Sequence, residues 1–167
     1  MPTTTVLAIG ELDIVRPPDV LKTTVGSCIA IILFDKRQKL FGMAHIMLPT
    51  NEKPLGSPGT NKKEDSGKYA DTAIMELLKR MGIPLPGAHR LQAKLAGGSN
   101  MFAKESKSRD TFQIGVRNLQ AVTDILAHLK VPILGTDYGG SLAREVWIDT
   151  SQYKVFSKKM GEEAVEI

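Results

Sequence analysis

A mixed α/β or α+β domain is the fold class this sequence predicts, and three observations predict it. Residues 23–34 are apolar on both faces and are followed by a second apolar run at 40–47, the pattern of strands inside a sheet. Ala70, Ala73, Ile74, Leu77, Leu78 and Met81 fall on one stripe at helical spacing. Strand and helix patterns then alternate towards the C-terminus, which places two main helices on a mixed sheet.

Each element follows from its local chemistry. Residues 4–9 read as a short strand, closed by Gly10, and Pro17-Pro18 continues the loop. The run 23–34 is a central strand, "DKRQK" a charged turn, and 40–47 the return strand, ended by Pro49. Residues 50–67, rich in Gly, Pro, Lys and Asn, have no period and make a long loop of the kind that is either simply mobile or faces a substrate or partner. A helix over 68–81 stops at Gly82 and Pro84. Leu91, Ala93 and Leu95 alternate with polar residues, a half-buried strand over 90–96. A second helix spans 119–130, with Asn118 as its N-cap and Leu119, Val122, Leu126 and Leu129 along one side. Strands at 131–136, 144–149 and 154–159 follow, the last two as a hairpin. There is no internal repeat and no domain boundary: residues 1–167 read as a single domain, with about 161–167 a loose tail.

Composition removes whole classes of function. At 42% hydrophobic, 24% charged and net charge +4, the chain has the balance of a globular domain. Its cations are scattered and aromatics make up 5%, so no base-stacking surface for nucleic acid is expected. No apolar run is long enough to span a membrane. The N-terminus lacks the pattern of a secretory signal, and the one cysteine cannot form an internal disulfide, so a reducing cytoplasm is expected. His45, His89 and His128 lie far apart without metal-ligand spacing, and no phosphate-binding glycine motif occurs. Neither a metal nor a cofactor is expected, and a monomer is the simplest assembly.

The chemistry-bearing stretch is "KTTVGSCIAIILF", residues 22–34, which holds Cys28. If 28–34 turns back tightly at Lys36-Arg37, Ala30 opposes Met43 and Cys28 opposes His45. Opposed residues share a face. An imidazole there can take the thiol proton, and the pair can attack a carbonyl carbon. Backbone amides around Gly26, Ser27 and Cys28 are the candidate oxyanion donors, and Thr23 and Thr24 are candidates to hold the imidazole tautomer. A lone cysteine in an apolar strand is also an ordinary small hydrophobe. Spacing alone leaves both readings open, and leaves the substrate open.

Five blocks in order narrow the choice: "VGSCIAIILFDKRQKLFGMAHIMLP" (25–49), "GKYADTAIMELLKRM" (67–81), "LQAKLAGGSNMF" (91–102), "IGVRNLQAV" (114–122) and "DYGGSLAREVWID" (137–149). Together they resemble the CheD family, the chemoreceptor glutamine deamidases of bacterial and archaeal chemotaxis, over nearly the whole chain. The resemblance implies an α/β/β layered sandwich and an enzyme that converts glutamine side chains in chemoreceptor cytoplasmic helices to glutamate, releasing ammonia. The family's nucleophile falls on Cys28 and its histidine on His45. Where the family's familiar pattern has its threonine, this chain has Lys22; other members carry it at the Thr23 position, so Thr23 is expected to complete the triad. The implied partners are chemoreceptors, with loop 50–67 and the segment around Gly97–Phe102 as their contacts. Relatives also bind a CheC-type phosphatase of the response regulator, so a regulatory adapter is the alternative function. A Cys-His peptidase or transglutaminase-like activity is a more distant one.

Overall fold

A computed structural model of the chain describes residues 1–50, 67–100 and 109–167, with the side chains of the last segment described from Ile114 onward. Its strands are β1 (Thr4–Leu7), β2 (Leu12–Val15), β3 (Val20–Val25), β4 (Ile29–Asp35), β5 (Leu40–Ile46), β6 (Gln92–Gly97), β7 (Ile133–Tyr138), β8 (Arg144–Asp149), β9 (Lys154–Lys159) and β10 (Val165–Glu166). The helices are α1 (Ala70–Arg80) and α2 (Arg109–His128), with a 3₁₀ turn over Leu85–Arg90.

The strands form two five-stranded sheets, ordered β1-β3-β8-β9-β10 and β2-β5-β4-β6-β7. Each is mixed: β1 runs parallel to β3, and β6 parallel to β7 through the α2 crossover, while the other pairs are antiparallel. The α/β/β layering implied by the resemblance is therefore present, whereas the single mixed sheet expected from periodicity is two.

Side-chain alternation along β4 and β5 builds both cores. Ile29, Ile31, Leu33, Leu40, Ala44 and Ile46 point to one side, where α1 and α2 cover them. Ala30, Ile32, Phe34, Phe41 and Met43 point to the other, against Leu21, Val25, Val146 and Ile148 of the second sheet. All seven residues of β4 are buried, as the two-faced apolar run required. Fully burying a side chain of this kind contributes roughly 1.5–3 kcal/mol, so these strands carry much of the stability. Helix α1 packs closely because β5 has Gly42 beneath it: a Cβ there would lie 3.1 Å from Leu77 Cδ2.

Several elements depart from expectation. The run 23–34 is two strands: β3 ends at Val25, the chain crosses at Gly26-Ser27-Cys28, and β4 begins in the other sheet. Residues 12–15, expected as loop, pair with β5 as β2. The turn after β4 holds four residues, because Asp35 pairs with Leu40 and the Asp35 carboxylate accepts the amides of Arg37 and Gln38. "KRQK" lacks the Gly or Asn that a two-residue turn needs at two positive-φ positions; here only Lys39 takes one, at φ 52°. Helix α2 starts ten residues earlier than expected at 119, so Asn118 is a mid-helix residue and not an N-cap. Ahead of residue 119 the buried positions among the described side chains are Gly115 and Asn118, which give no aliphatic stripe to detect. The C-terminal segment expected as a loose tail carries β10, paired with β9.

Candidate active site

The site lies where the chain leaves one sheet for the other. Pairing of β4 with β5 sets Ala30 opposite His45 and Ile29 opposite Ile46. The expected opposition of Cys28 and His45, and of Ala30 and Met43, is thus corrected by two residues, the direct result of the longer turn. A shift of two preserves the face that a shift of one would have reversed. Cys28 consequently remains on the inter-sheet side with His45, as a diagonal neighbour, a relation that spans about 7–8 Å between backbones.

Thr23 reaches the pair from the opposite sheet. Along β3 the buried residues are Leu21, Thr23 and Val25, while Thr24 is exposed. Lys22 also points outward, 2.9 Å from Glu145 and over the Trp147 ring. Strand alternation therefore selects Thr23 over both neighbours. Its Oγ1 lies 2.7 Å from His45 Nδ1 and 2.8 Å from the Leu7 carbonyl oxygen. A carbonyl can only accept, so the single hydroxyl proton goes to Leu7. Thr23 then accepts from Nδ1–H, which fixes the tautomer and leaves a lone pair on Nε2.

Among the described residues, that buried Nε2 has no hydrogen-bond partner. Cys28 is 8% exposed and His45 3%. Burial pushes the Cys28 thiol above its ordinary value. Burial likewise lowers His45 to about 4, against the opposing charge of Glu11. The resting pair at neutral pH is a neutral thiol and a neutral imidazole, with a base in the correct tautomer and no preformed thiolate.

The crossover itself is held through its carbonyls. Gly26 O accepts from Ser99 N, and Cys28 O from Gly98 N, both at 2.9 Å. Ser27 O and Met47 O accept from Asn118 Nδ2 at 3.4 and 2.8 Å. At Gly97, with φ 120°, any Cβ would strike Cys28 O at 2.1 Å, so only glycine allows this approach. In a planar trans peptide N–H opposes C=O, so the amides of Ser27 and Cys28 project away from these acceptors. Behind the Gly97-Gly98-Ser99 segment, the fully buried Arg144 donates to Ser99 Oγ at 3.1 Å and pairs with Asp137 at 2.9 Å.

The structure thus brings Thr23, His45, Gly26, Ser27 and Cys28 to one place and leaves Thr24 outside it. Residues 51–66 of the expected contact loop, and Met101 and Phe102 of the second contact segment, lie outside the described residues. Sequence reasoning missed Asn118 and Arg144 as parts of the site. The available signal for Asn118 was a polar residue in register with Val122 and Leu126 on an apolar stripe. For Arg144 no local signal existed, because its partners Ser99 and Asp137 come from other elements.

Comparison with known proteins follows the same line. Residues 47–159 match the family model described as CheD chemotactic sensory transduction. A protein of Halalkalibacterium halodurans named chemoreceptor glutamine deamidase CheD is 35% identical, over 95% of this chain and 96% of its own. One of the same name from Thermotoga maritima is 38% identical, over 93% and 92%. A probable chemoreceptor glutamine deamidase CheD from Methanococcus vannielii is 37% identical, over 92% and 93%. The chain belongs to the CheD family.

Proposed function

We propose that this CheD-family protein is a hydrolase that deamidates specific glutamine side chains in the cytoplasmic helices of chemoreceptors, with Cys28 as nucleophile. The family relatives named for this activity support the reaction class. The observation that carries the mechanism is the Thr23–His45 hydrogen bond, which leaves the Nε2 lone pair free on the layer that holds Cys28.

The steps follow from that tautomer. Nε2 takes the Cys28 proton as Sγ attacks the glutamine amide carbon. The oxyanion that forms is met by N–H groups of the Gly26-Ser27-Cys28 crossover. The imidazolium returns its proton to the amide nitrogen, and ammonia leaves a thioester. Nε2 then accepts a proton from water, whose oxygen adds to the thioester carbon, and glutamate departs as the thiol is regenerated. Thr23 acts through His45 as a positioning residue. Resting Sγ does not hydrogen-bond to Nε2, so the two close on each other when substrate binds, as catalytic contacts do in many free enzymes.

In this reading the protein acts as a monomer in the cytoplasm, where the receptor helices lie. No helix among the described residues is long and apolar enough to cross a membrane, which accords with it. The test is mass spectrometry of a purified receptor cytoplasmic fragment incubated with the protein, together with ammonia release. Glutamine-to-glutamate conversion at defined positions, absent with Cys28→Ala, is expected. A folded protein that leaves several receptor fragments unchanged would overturn the reading in favour of the adapter of a CheC-type phosphatase.

A further inference from the structure

Among the described side chains of α2, Asn118 is the one polar member of the buried stripe laid on the sheet, where its companions are Gly115, Val122 and Leu126. It is fully buried. Its Nδ2 bridges two carbonyls that stand at fixed offsets from the reactive pair. Met47 O, at 2.8 Å, lies two residues beyond His45; Ser27 O, at 3.4 Å, lies one residue before Cys28. One planar amide therefore ties the end of β5 to the crossover that starts β4.

The rest of the setting makes this tie rigid. One turn before Asn118, a Cβ on Gly115 would lie 3.0 Å from Gly98 O, so α2 rests directly on the backbone that donates to Cys28 O. Beyond the tie, Met47 N donates to Lys68 O at 2.8 Å. Asn118 Oδ1 is buried with no partner among the described residues. The two carbonyls hold the amide in this orientation, because a flip would set Oδ1 against them. An aliphatic side chain of similar volume would fill the stripe without that orphan atom.

We propose that Asn118 is a positioning residue for the reaction: it sets the separation of Cys28 and His45 by holding Ser27 and Met47 together. The proposal rests on the deamidase reading for its substrate, but the geometry it concerns can be probed without a receptor. A displacement on the scale of an ångström between reacting groups lowers rates about 100-fold. The loss should fall on the chemical step and not on receptor binding.

The experiment compares wild type with Asn118→Leu, which keeps the volume and removes the donor, and with Asn118→Asp, which keeps the shape. Two rates are measured at neutral pH: deamidation of a receptor fragment, and acylation of the Cys28 thiol by p-nitrophenyl acetate, read as the p-nitrophenolate burst. In Asn118→Leu, kcat and the burst rate should both fall about 10- to 100-fold while KM stays within about twofold and the fold remains intact. If Asn118→Leu does not fold, the same split is required of Asn118→Asp. Rates within about twofold of wild type in the folded variant, or losses that track the unfolded fraction in both variants, overturn the proposal. A Cys28-dependent burst that falls in the variant, with no deamidation by wild type, would sustain this role and remove the receptor reading. A wild-type burst that survives Cys28→Ala would remove both.

Discussion

The layer between the two sheets has two ends, and they are built on opposite terms although β4 and β5 supply both. At the turn end, Phe34 and Phe41 stack with ring centres 6.0 Å apart and Tyr153 tilts onto Phe41 at 5.4 Å. On the helix side of the same turn, the Asp35 carboxylate accepts from Arg37, Gln38 and Arg90. At the crossover end the same layer holds Cys28, His45 and Thr23, and His45 Nε2 is left without a partner among the described residues. The first end is apolar with its polar rim satisfied, so it stabilises. The second keeps a buried base unpaired, which costs stability and is tolerated because the remaining strand pairs hold the backbone in place.

Substitutions can break that contrast. The largest effect is expected from His45→Asn. Its side-chain amide can still donate to Thr23, but no atom replaces Nε2. Turnover should fall about 10²- to 10⁴-fold, the range for loss of a general base, with melting little changed. Retained turnover would show that the crossover end is mere packing. At the aromatic end, Phe41→Ala should cost about 3–5 kcal/mol by denaturant titration, with kcat of the folded protein within about twofold of wild type. A comparable loss of kcat would mean that the two ends are not separable.

Protons sharpen the comparison further. Folding lowers the His45 value from 6.5 to about 4, so between those values the unfolded chain binds the additional proton. Stability should therefore be complete above pH 6.5 and decline as pH falls towards 4, by on the order of 3 kcal/mol in total. Denaturant titrations across that window, repeated in His45→Asn, isolate the term; equal slopes in the two proteins would refute it. For the same reason activity should not fall near pH 6.5, where an ordinary histidine becomes charged. The smallest effect belongs to Thr23→Val, which removes the acceptor for Nδ1–H. A cost of about 1–3 kcal/mol in the barrier, or about 10- to 100-fold in kcat, is expected, and none from Thr24→Val on the other face. Equal effects at both threonines would reject the tautomer argument.

Much of this was legible before any fold was known. The two-faced apolar runs gave β4 and β5, the single stripe gave α1 within two residues, and the β8–β9 hairpin fell at 144–149 and 154–159 as expected. Cys28 and His45 could be placed on one face because that conclusion tolerates a two-residue error in register. Asn118 could not be understood as more than a cap, since its partners lie 71 and 91 residues away in sequence.

Hydrophobic periodicity is a local property, and by itself it marked the longer strands and the buried face of those that alternate, while it passed over the short β2 and β10. Which sheet a strand joins depends on pairing with distant segments, and a run apolar on both faces reads the same in either sheet. Only the tertiary structure broke residues 23–34 at Gly26-Ser27-Cys28 and sent the halves to opposite sheets. That division turns Thr23 from a strand neighbour of Cys28 into a residue facing His45 across the layer, with Thr24 and Lys22 turned to solvent. The residues of the site are written in the chain, but their meeting is a product of how the two sheets pack.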